Sequence, residues 1–237
     1  MTQFVAAHHD GRVGRVRLQR PDKRNAVDTA LAEEAALLMR RLAAAGIDVA
    51  LLEAEPPTFC AGHDLSEMGA GTLETGAMRL IEELNDSDLF WIACVNGPVV
   101  GAGLGILATC PMVIATTDAW FSLPEADLGF FPGGMFAGLE NIIPVRKLMD
   151  MAMTGRRVPA AEAMSWGLVD EVVDPADLMS TAEGIAASLA SRPELVRLGR
   201  VAWRNHVRDA TYRDRHQSLL GPALQAIAAT VGRAEPA

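Results

Sequence analysis

One glycine-rich stretch organises the rest of the chain: Val95-Asn96-Gly97-Pro98-Val99-Val100-Gly101-Ala102-Gly103-Leu104-Gly105-Ile106. It follows an apolar run at 91–95 that is typical of a buried strand, and it continues to Cys110 as an apolar run that predicts a buried helix. Three glycines at alternate positions remove Cβ atoms where the backbone must pass close to another group. A helix that begins here offers free N–H groups and the positive end of its dipole.

Two interpretations of this stretch remain open. In the first, the glycines serve only the close packing of a tight strand-to-helix crossover. In the second, the free N–H groups bind an anion, or an oxygen that becomes anionic during a reaction. The stretch does not match nucleotide-binding signatures, because it has no Lys-Ser/Thr ending and because a dinucleotide pattern begun at Gly101 would need glycine in place of Ile106.

Composition limits the classes of function. The chain has 237 residues, 50% of them hydrophobic, which is enough for one sizeable core and an appendage. The net charge of −9 argues against nucleic acid or an anionic membrane as the main partner. We expect a cytoplasmic protein, because no signal segment or bilayer-spanning stretch is present. The cysteines lie in apolar contexts and the histidines are unpaired, so we expect reduced core thiols and no metal.

The order of elements predicts an α/β protein. A strand at 12–18, a helix at 29–45 and an apolar strand at 47–53 imply a parallel sheet with right-handed crossovers. From about 145 onward the pattern is mostly helical. We therefore expect a core at 1–175 and a helical C-terminal region at 176–237 that belongs to the same unit. The other expected elements are helices at 75–88, 147–153, 160–166, 176–190, 193–207 and from 212, a strand at 112–115 and a loop at 69–76.

Three further segments carry candidate chemistry, and each has a plainer alternative. The turn at 20–26, with three basic side chains, is either solvated or a basic edge for phosphates. His63 is either a general base or a loop residue whose backbone matters more than its ring, and we favour the backbone. Glu125 lies among apolar neighbours, which would raise its pKa and suit a proton shuttle, unless it is an exposed loop acid.

Together these segments resemble the crotonase, or enoyl-CoA hydratase/isomerase, superfamily. The resemblance runs in one order from about Val13 to Val173, and the C-terminal portion matches poorly. The matching pieces are Arg20-Pro21-Asp22-Lys23-Arg24-Asn25-Ala26, Phe59-Cys60-Ala61-Gly62-His63-Asp64-Leu65, Val95 to Gly103, Phe121-Ser122-Leu123-Pro124-Glu125 with Leu128-Gly129, and Thr154-Gly155 with Ala160 to Ala163 and Trp166 to Val169.

The resemblance implies a crotonase-like spiral of ββα repeats, assembled as a homotrimer or a dimer of trimers. It also implies an acyl-CoA thioester whose carbonyl oxygen points at the backbone N–H groups of His63 and Ala102, where Ala102 replaces the usual glycine. Coenzyme A is part of that substrate, so no separate cofactor is expected. The implied substrate-binding residues are Lys23, Arg24, Ala26 and Ala61 for the nucleotide end, with Asp64, Leu65 and Gly105, the last widening the pocket near the acyl chain.

The departures from the family pattern point to the reaction. Family hydratases use two glutamates, and only the second is present, as Glu125, while the first is replaced by Gly105. We therefore favour single-glutamate chemistry, typical of the isomerases that shift a double bond. The dehalogenase branch would need a carboxylate where the chain has Gly133. Two alternatives remain open, a hydratase in which another side chain replaces the missing acid and a non-catalytic acyl-CoA-binding protein.

Overall fold

The computed structural model describes residues 3–67 and 75–208. The strands in these ranges are β1 (Val5–Asp10), β2 (Val13–Leu18), β3 (Val49–Ala54), β4 (Phe90–Val95), β5 (Val99–Val100), β6 (Met112–Thr116), β7 (Trp120–Ser122), β8 (Val158–Pro159) and β9 (Glu171–Val173). The helices are α1 (Thr29–Ala44), α2 (Gly76–Asp86), α3 (Ala102–Thr109), α4 (Gly133–Leu139), α5 (Val145–Thr154), α6 (Ala160–Ser165), α7 (Leu178–Ala190) and α8 (Pro193–Val207), with 3₁₀ turns at Pro21–Lys23 and Pro124–Leu128.

Six of these strands form the main sheet, in the order β1-β2-β3-β4-β6-β9. Every pair from β2 to β9 is parallel, as predicted, whereas β1 pairs antiparallel with β2 and was not anticipated. A smaller sheet of β5, β7 and β8 lies beside the main one. These short strands have only two or three residues each, too few for a periodic hydrophobic pattern to show in the sequence.

The two sheets are built by ββα repeats. In β4-β5-α3 and again in β6-β7-α4, one strand enters the main sheet, a short strand enters the smaller sheet, and a helix follows. An isolated parallel bridge between Cys60 and Val99 extends the smaller sheet toward the segment that follows β3. The repeat places the ends of these strands, and the turns that follow them, on one side of the molecule.

The main sheet is covered on both faces, which explains the apolar β3. Alternate side chains of a strand point to opposite faces. Accordingly, Leu52 packs in the core with α1, α2 and α3, while Leu51 packs with Leu178 and Ala182 of α7. Helix α7 therefore lies against the sheet of the core. The division at residue 175 stays a prediction.

Most predicted boundaries are shifted by only a few residues. Helix α1 begins after Asp28, whose carboxylate accepts a hydrogen bond from the N–H of Leu31 at 2.8 Å, and α8 has the predicted bounds. The predicted helix from residue 212 lies outside the described residues, as does most of the predicted loop at 69–76. In the part of the chain that the structure describes, no helix is long and apolar enough to cross a bilayer.

Candidate active site at the start of helix α3

Glu125 lies over the N-terminal end of α3. Its 3₁₀ turn begins two residues after β7, and the N–H of Gly101 donates to the carbonyl of Ser122 in β7 at 2.9 Å. Gly101 has φ +55°, and a Cβ on it would lie 3.1 Å from Oε1 of Glu125. The glycine therefore provides both the left-handed backbone and the room that the carboxyl group occupies.

The surroundings of Glu125 favour its neutral form. Its Oε2 atom is buried and has no hydrogen-bond partner within the described ranges. Burial raises the pKa of this carboxyl from 4.5 to about 7, against a smaller lowering by a hydrogen bond from its own backbone N–H. A carboxyl group with a pKa near neutrality can both take and return a proton, so the raised pKa expected from the sequence is present.

Gly62, the residue before His63, lies against the first residue of α3. Ala102 is the first residue of α3, so its N–H has no acceptor one turn earlier in the helix. Gly62 has φ +89°, and a Cβ on it would lie 3.1 Å from the nitrogen of Ala102 and 2.8 Å from the carbonyl oxygen of Val100. The turn that contains Gly62 and His63 therefore packs directly on the start of α3. Ala102 has a helical backbone, so the position does not require glycine.

The ring of His63 is bonded to a neighbouring side chain. Nδ1 lies 2.8 Å from the hydroxyl of Thr75, which also accepts a hydrogen bond from the N–H of Met78 at 3.4 Å. The hydroxyl proton is thus free to be donated to Nδ1. Burial lowers the pKa of His63 to about 4, against a raising contribution from Glu67, so the imidazole is neutral at pH 7. Thr75 was predicted only as the start of a helix, and its contact with the ring was not anticipated.

Backbone hydrogen bonds tie the basic turn to the same site. The carbonyl of Arg24 accepts from Ala61 at 3.0 Å, and the N–H of Val27 donates to Gly62 at 2.8 Å. Lys23 and Arg24 are exposed and Ala26 is buried at this junction. The structure therefore brings the predicted nucleotide-end residues next to the predicted N–H donors.

Arg20 does not belong to a free basic edge. Its guanidinium donates to Asp64 at 2.6 Å and to the carbonyl of Ala26 at 3.0 Å, and it pairs with Asp28 at 2.9 Å. The turn contains three basic side chains, and the structure shows that one of them, Arg20, holds the turn against the loop at 61–64. The partner Asp64 is 44 residues away in the chain, so no local pattern could reveal the pair.

Asp64 and Leu65, predicted to bind substrate, differ from each other in their surroundings. The carboxylate of Asp64 accepts from the N–H and the hydroxyl of Ser66 and from Arg20, and these contacts lower its pKa to about 2. The Asp64 carboxylate is therefore bonded within its own loop and to the arginine that anchors that loop. Leu65 is 65% exposed and is free of such contacts.

Gly105 leaves room for two neighbouring side chains, and its effect on the width of a substrate pocket stays a prediction. A Cβ on Gly105 would lie 2.7 Å from Cδ1 of Ile81 and 2.7 Å from Sδ of Met135. Because Gly105 has no side chain, Ile81 of α2 and Met135 of α4 can pack close to its backbone. Neither neighbour could be predicted from local patterns, because both residues are distant from Gly105 in the chain.

Across residues 3–67 and 75–208, no three His, Cys, Asp or Glu side chains are grouped so that they could hold a metal ion. The three cysteines are free and buried, and burial raises their pKa values, those of Cys60 and Cys110 to about 12, so the thiols are protonated at neutral pH.

Comparisons with known proteins show the family of the chain. The profile of the family described as "Enoyl-CoA hydratase/isomerase" matches residues 8–219. The chain is similar to a carnitinyl-CoA dehydratase of Proteus mirabilis (strain HI4320), at 33% identity over 204 residues that cover 82% of this chain and 77% of that protein. It is also similar to a probable enoyl-CoA hydratase of Rhizobium meliloti (strain 1021), at 34% identity over 76% of this chain and 73% of the relative.

Solved structures show the same fold. A probable enoyl-CoA hydratase from Mycobacterium smegmatis superposes with a TM-score of 0.87, over 98% of this chain and 97% of the other, and its 23% identity supports the fold alone. An enoyl-CoA hydratase from Bacillus anthracis, 28% identical, gives 0.78 over 94% and 92%. With the family profile spanning most of the chain, the protein belongs to the enoyl-CoA hydratase/isomerase family of the crotonase superfamily and has its α/β fold.

Proposed function

We propose that this acyl-CoA enzyme uses Glu125 as its single acid–base group and shifts the double bond of an enoyl-CoA thioester. The observation that carries the proposal is the position of the Glu125 carboxyl over the start of α3, with one buried oxygen unpartnered. The position of a second family glutamate is Gly105, and the space over it holds Ile81 and Met135. The apolar side chains of Ile81 and Met135 therefore occupy the space where a second carboxylate would help to bind water.

The proposed reaction balances with one carboxyl group. The Glu125 carboxylate takes a proton from C2 of a 3-enoyl thioester, and the electron pair moves onto the carbonyl oxygen as a dienolate. The N–H groups of His63 and Ala102 stabilise that oxygen. Glu125 then returns the proton to C4, which leaves the double bond between C2 and C3. The exposed Lys23 and Arg24 would contact the phosphates of coenzyme A, and no separate cofactor is needed.

Hydration or dehydration is the second candidate, and the relatives favour it. The similar proteins described above are a carnitinyl-CoA dehydratase and a probable enoyl-CoA hydratase. In this case Glu125 would remove the C2 proton of a 3-hydroxyacyl thioester and protonate the departing hydroxyl group. One carboxyl would then serve both steps, without a second acid at Gly105.

Product analysis in H₂¹⁸O separates the candidates. We expect a 3-enoyl-CoA to become the 2-enoyl-CoA with no label incorporated, and this conversion to exceed any hydration of 2-enoyl-CoA. Label in a 3-hydroxyacyl product, formed faster than the double-bond shift, would overturn the isomerase proposal in favour of hydration. Tight binding of every thioester without turnover or C2 exchange would instead support the non-catalytic acyl-CoA-binding protein.

A further inference from the structure

We propose that the Ser122 hydroxyl and the backbone at Gly155 are positioning groups, which together hold the Glu125 carboxyl over the start of α3. The inference rests on the proposed function, because it assumes that Glu125 moves the proton. It deepens that function by assigning the placement of the carboxyl group to a bond between β7 and the end of α5, 33 residues later in the chain.

The turn that carries Glu125 lies between two glycines with left-handed backbone. Gly101 has φ +55°, and a Cβ on it would lie 3.1 Å from Oε1 of Glu125. Gly155 has φ +61°, and a Cβ on it would lie 3.4 Å from Cα of Pro124 and 3.7 Å from the carbonyl oxygen of Leu123. One glycine therefore faces the carboxyl group, and the other faces the backbone that leads to it.

Ser122 is bonded to both of these glycines. Its carbonyl accepts a hydrogen bond from the N–H of Gly101 at 2.9 Å, and its hydroxyl donates to the carbonyl of Gly155 at 2.7 Å. The N–H of Gly155 in turn donates to Met151 at 3.0 Å and ends α5. Ser122 is only 3% exposed, so water does not replace a bond that is lost there. The hydroxyl therefore ties the end of α5 to the segment that leads into Glu125.

The carboxyl group depends on its turn for its position. Oε2 of Glu125 has no hydrogen-bond partner among the described residues, and the backbone bond that affects its pKa comes from its own N–H. The carbonyl of Glu125 accepts from Phe130 at 3.2 Å, which folds the turn on itself. None of these bonds fixes the turn relative to α3. The bonds of Ser122 to the two glycines do so, and they act on the reaction through Glu125 without touching the substrate.

Exchange of the C2 proton of a bound 3-enoyl-CoA in D₂O, followed against pH, tests the proposal. A displacement of about 1 Å in a catalytic group can cost about 10²-fold in rate, so S122A should slow the exchange about 10–100-fold. The midpoint of its pH profile should fall below the value of about 7 expected for the wild type, because a loosened carboxyl gains water. Calorimetry should show unchanged thioester affinity.

Two further variants separate positioning from stability. S122T keeps the hydroxyl in a strand residue, and it should restore both the rate and the midpoint. T116V removes a different buried hydroxyl, which donates to the carbonyl of Val95 at 3.4 Å within the main sheet. This control should leave the exchange rate per folded molecule and the midpoint as in the wild type.

The outcomes distinguish this inference from the function on which it rests. If the wild type exchanges the proton and S122A matches it in rate and midpoint, or is slower with the midpoint unchanged, the positioning role is wrong while Glu125 keeps its role. If the wild type binds the thioester without exchange, the proposed function fails and this inference fails with it. G155A strains the left-handed backbone on the other side of the bond, and it should shift rate and midpoint in the same direction if S122A does not fold. Wild-type values in G155A would overturn the proposal.

Discussion

At the scale of single residues, the buried carboxyl group of Glu125 lowers the stability of the folded protein at neutral and higher pH. Oε2 of Glu125 is buried without a partner, and its folded-state pKa of about 7 exceeds the ordinary value of 4.5. Between these two pH values the unfolded chain has released a proton that the folded chain retains. The free energy of unfolding therefore falls as pH rises through this range, by up to about 3 kcal/mol above pH 7. Below pH 4.5 both states are protonated and the effect vanishes.

The first prediction follows from this linkage. E125Q removes the charge but keeps the shape, so the variant should be more stable than the wild type at pH 8, by about 2–3 kcal/mol, and nearly equal to it at pH 4. Urea unfolding at the two pH values measures the difference. The matched control is E194Q, which changes an exposed glutamate of α8 that is paired with Arg197 and should not raise stability at pH 8. An equal effect of E125Q at both pH values would show that the carboxyl does not titrate near 7.

The second prediction concerns His63, whose ring is neutral and bonded to Thr75. H63Q keeps the backbone N–H, so we expect kcat/KM to fall less than tenfold and its pH dependence near 7 to stay, because Glu125 sets that dependence. The measurement is a pH–rate profile of the variant. A loss of about 10²-fold or more, with the ionisation near 7 gone, would assign the proton transfer to the imidazole instead.

At the scale of elements, the start of α3 was predicted from the sequence and the partners of the site were not. Alternate glycines between two apolar runs indicate a strand, a turn and a helix with free N–H groups. Strand β4 and helix α3 follow that order, and the short strand β5 lies within the predicted turn. The contacts of Arg20 with Asp64, and of Ile81 and Met135 over Gly105, join segments far apart in the chain. Such contacts are set by tertiary packing, which local periodicity does not encode.

The third prediction concerns the turn at 20–26, where Lys23 and Arg24 are exposed beside the loop at 61–64. K23A and R24A should each weaken coenzyme A binding by about 1–3 kcal/mol at low salt, and less at high salt. Calorimetry with free coenzyme A measures this change. R41A, which removes an exposed charge from α1, is the control and should bind like the wild type. Unchanged affinity in the double variant would contradict the placement of the nucleotide end.

At the scale of the whole molecule, α5 presents an apolar stripe. Val145, Met149 and Met153 recur every four residues on one face and are 54%, 42% and 61% exposed. A stripe of this kind is typical of a surface that packs against another chain. This stripe supports the proposal that the protein is a homo-oligomer built on a trimer. The exposed face of α5 would form part of the contact between subunits.

The fourth prediction tests that contact. M149E places a charge in the stripe, and burying an unpaired charge costs several kcal/mol, so the variant should dissociate at concentrations where the wild type is assembled. Light scattering at micromolar concentration measures the mass. L37E, which alters an exposed leucine of α1, should keep the wild-type mass. A wild-type monomer at this concentration would refute the oligomer, and an assembled M149E would exclude α5 from the interface.

The central claim is that Glu125 moves the C2 proton of a bound thioester, and exchange of that proton in D₂O tests it most directly. We predict that the wild type exchanges the C2 proton of a bound 3-enoyl-CoA at a rate that rises with pH through about 7, as the carboxylate forms. E125Q should exchange it about 10²–10⁴ times more slowly while binding the thioester equally well. Undiminished exchange in E125Q would show that another group carries the proton and would contradict the mechanism proposed for this site.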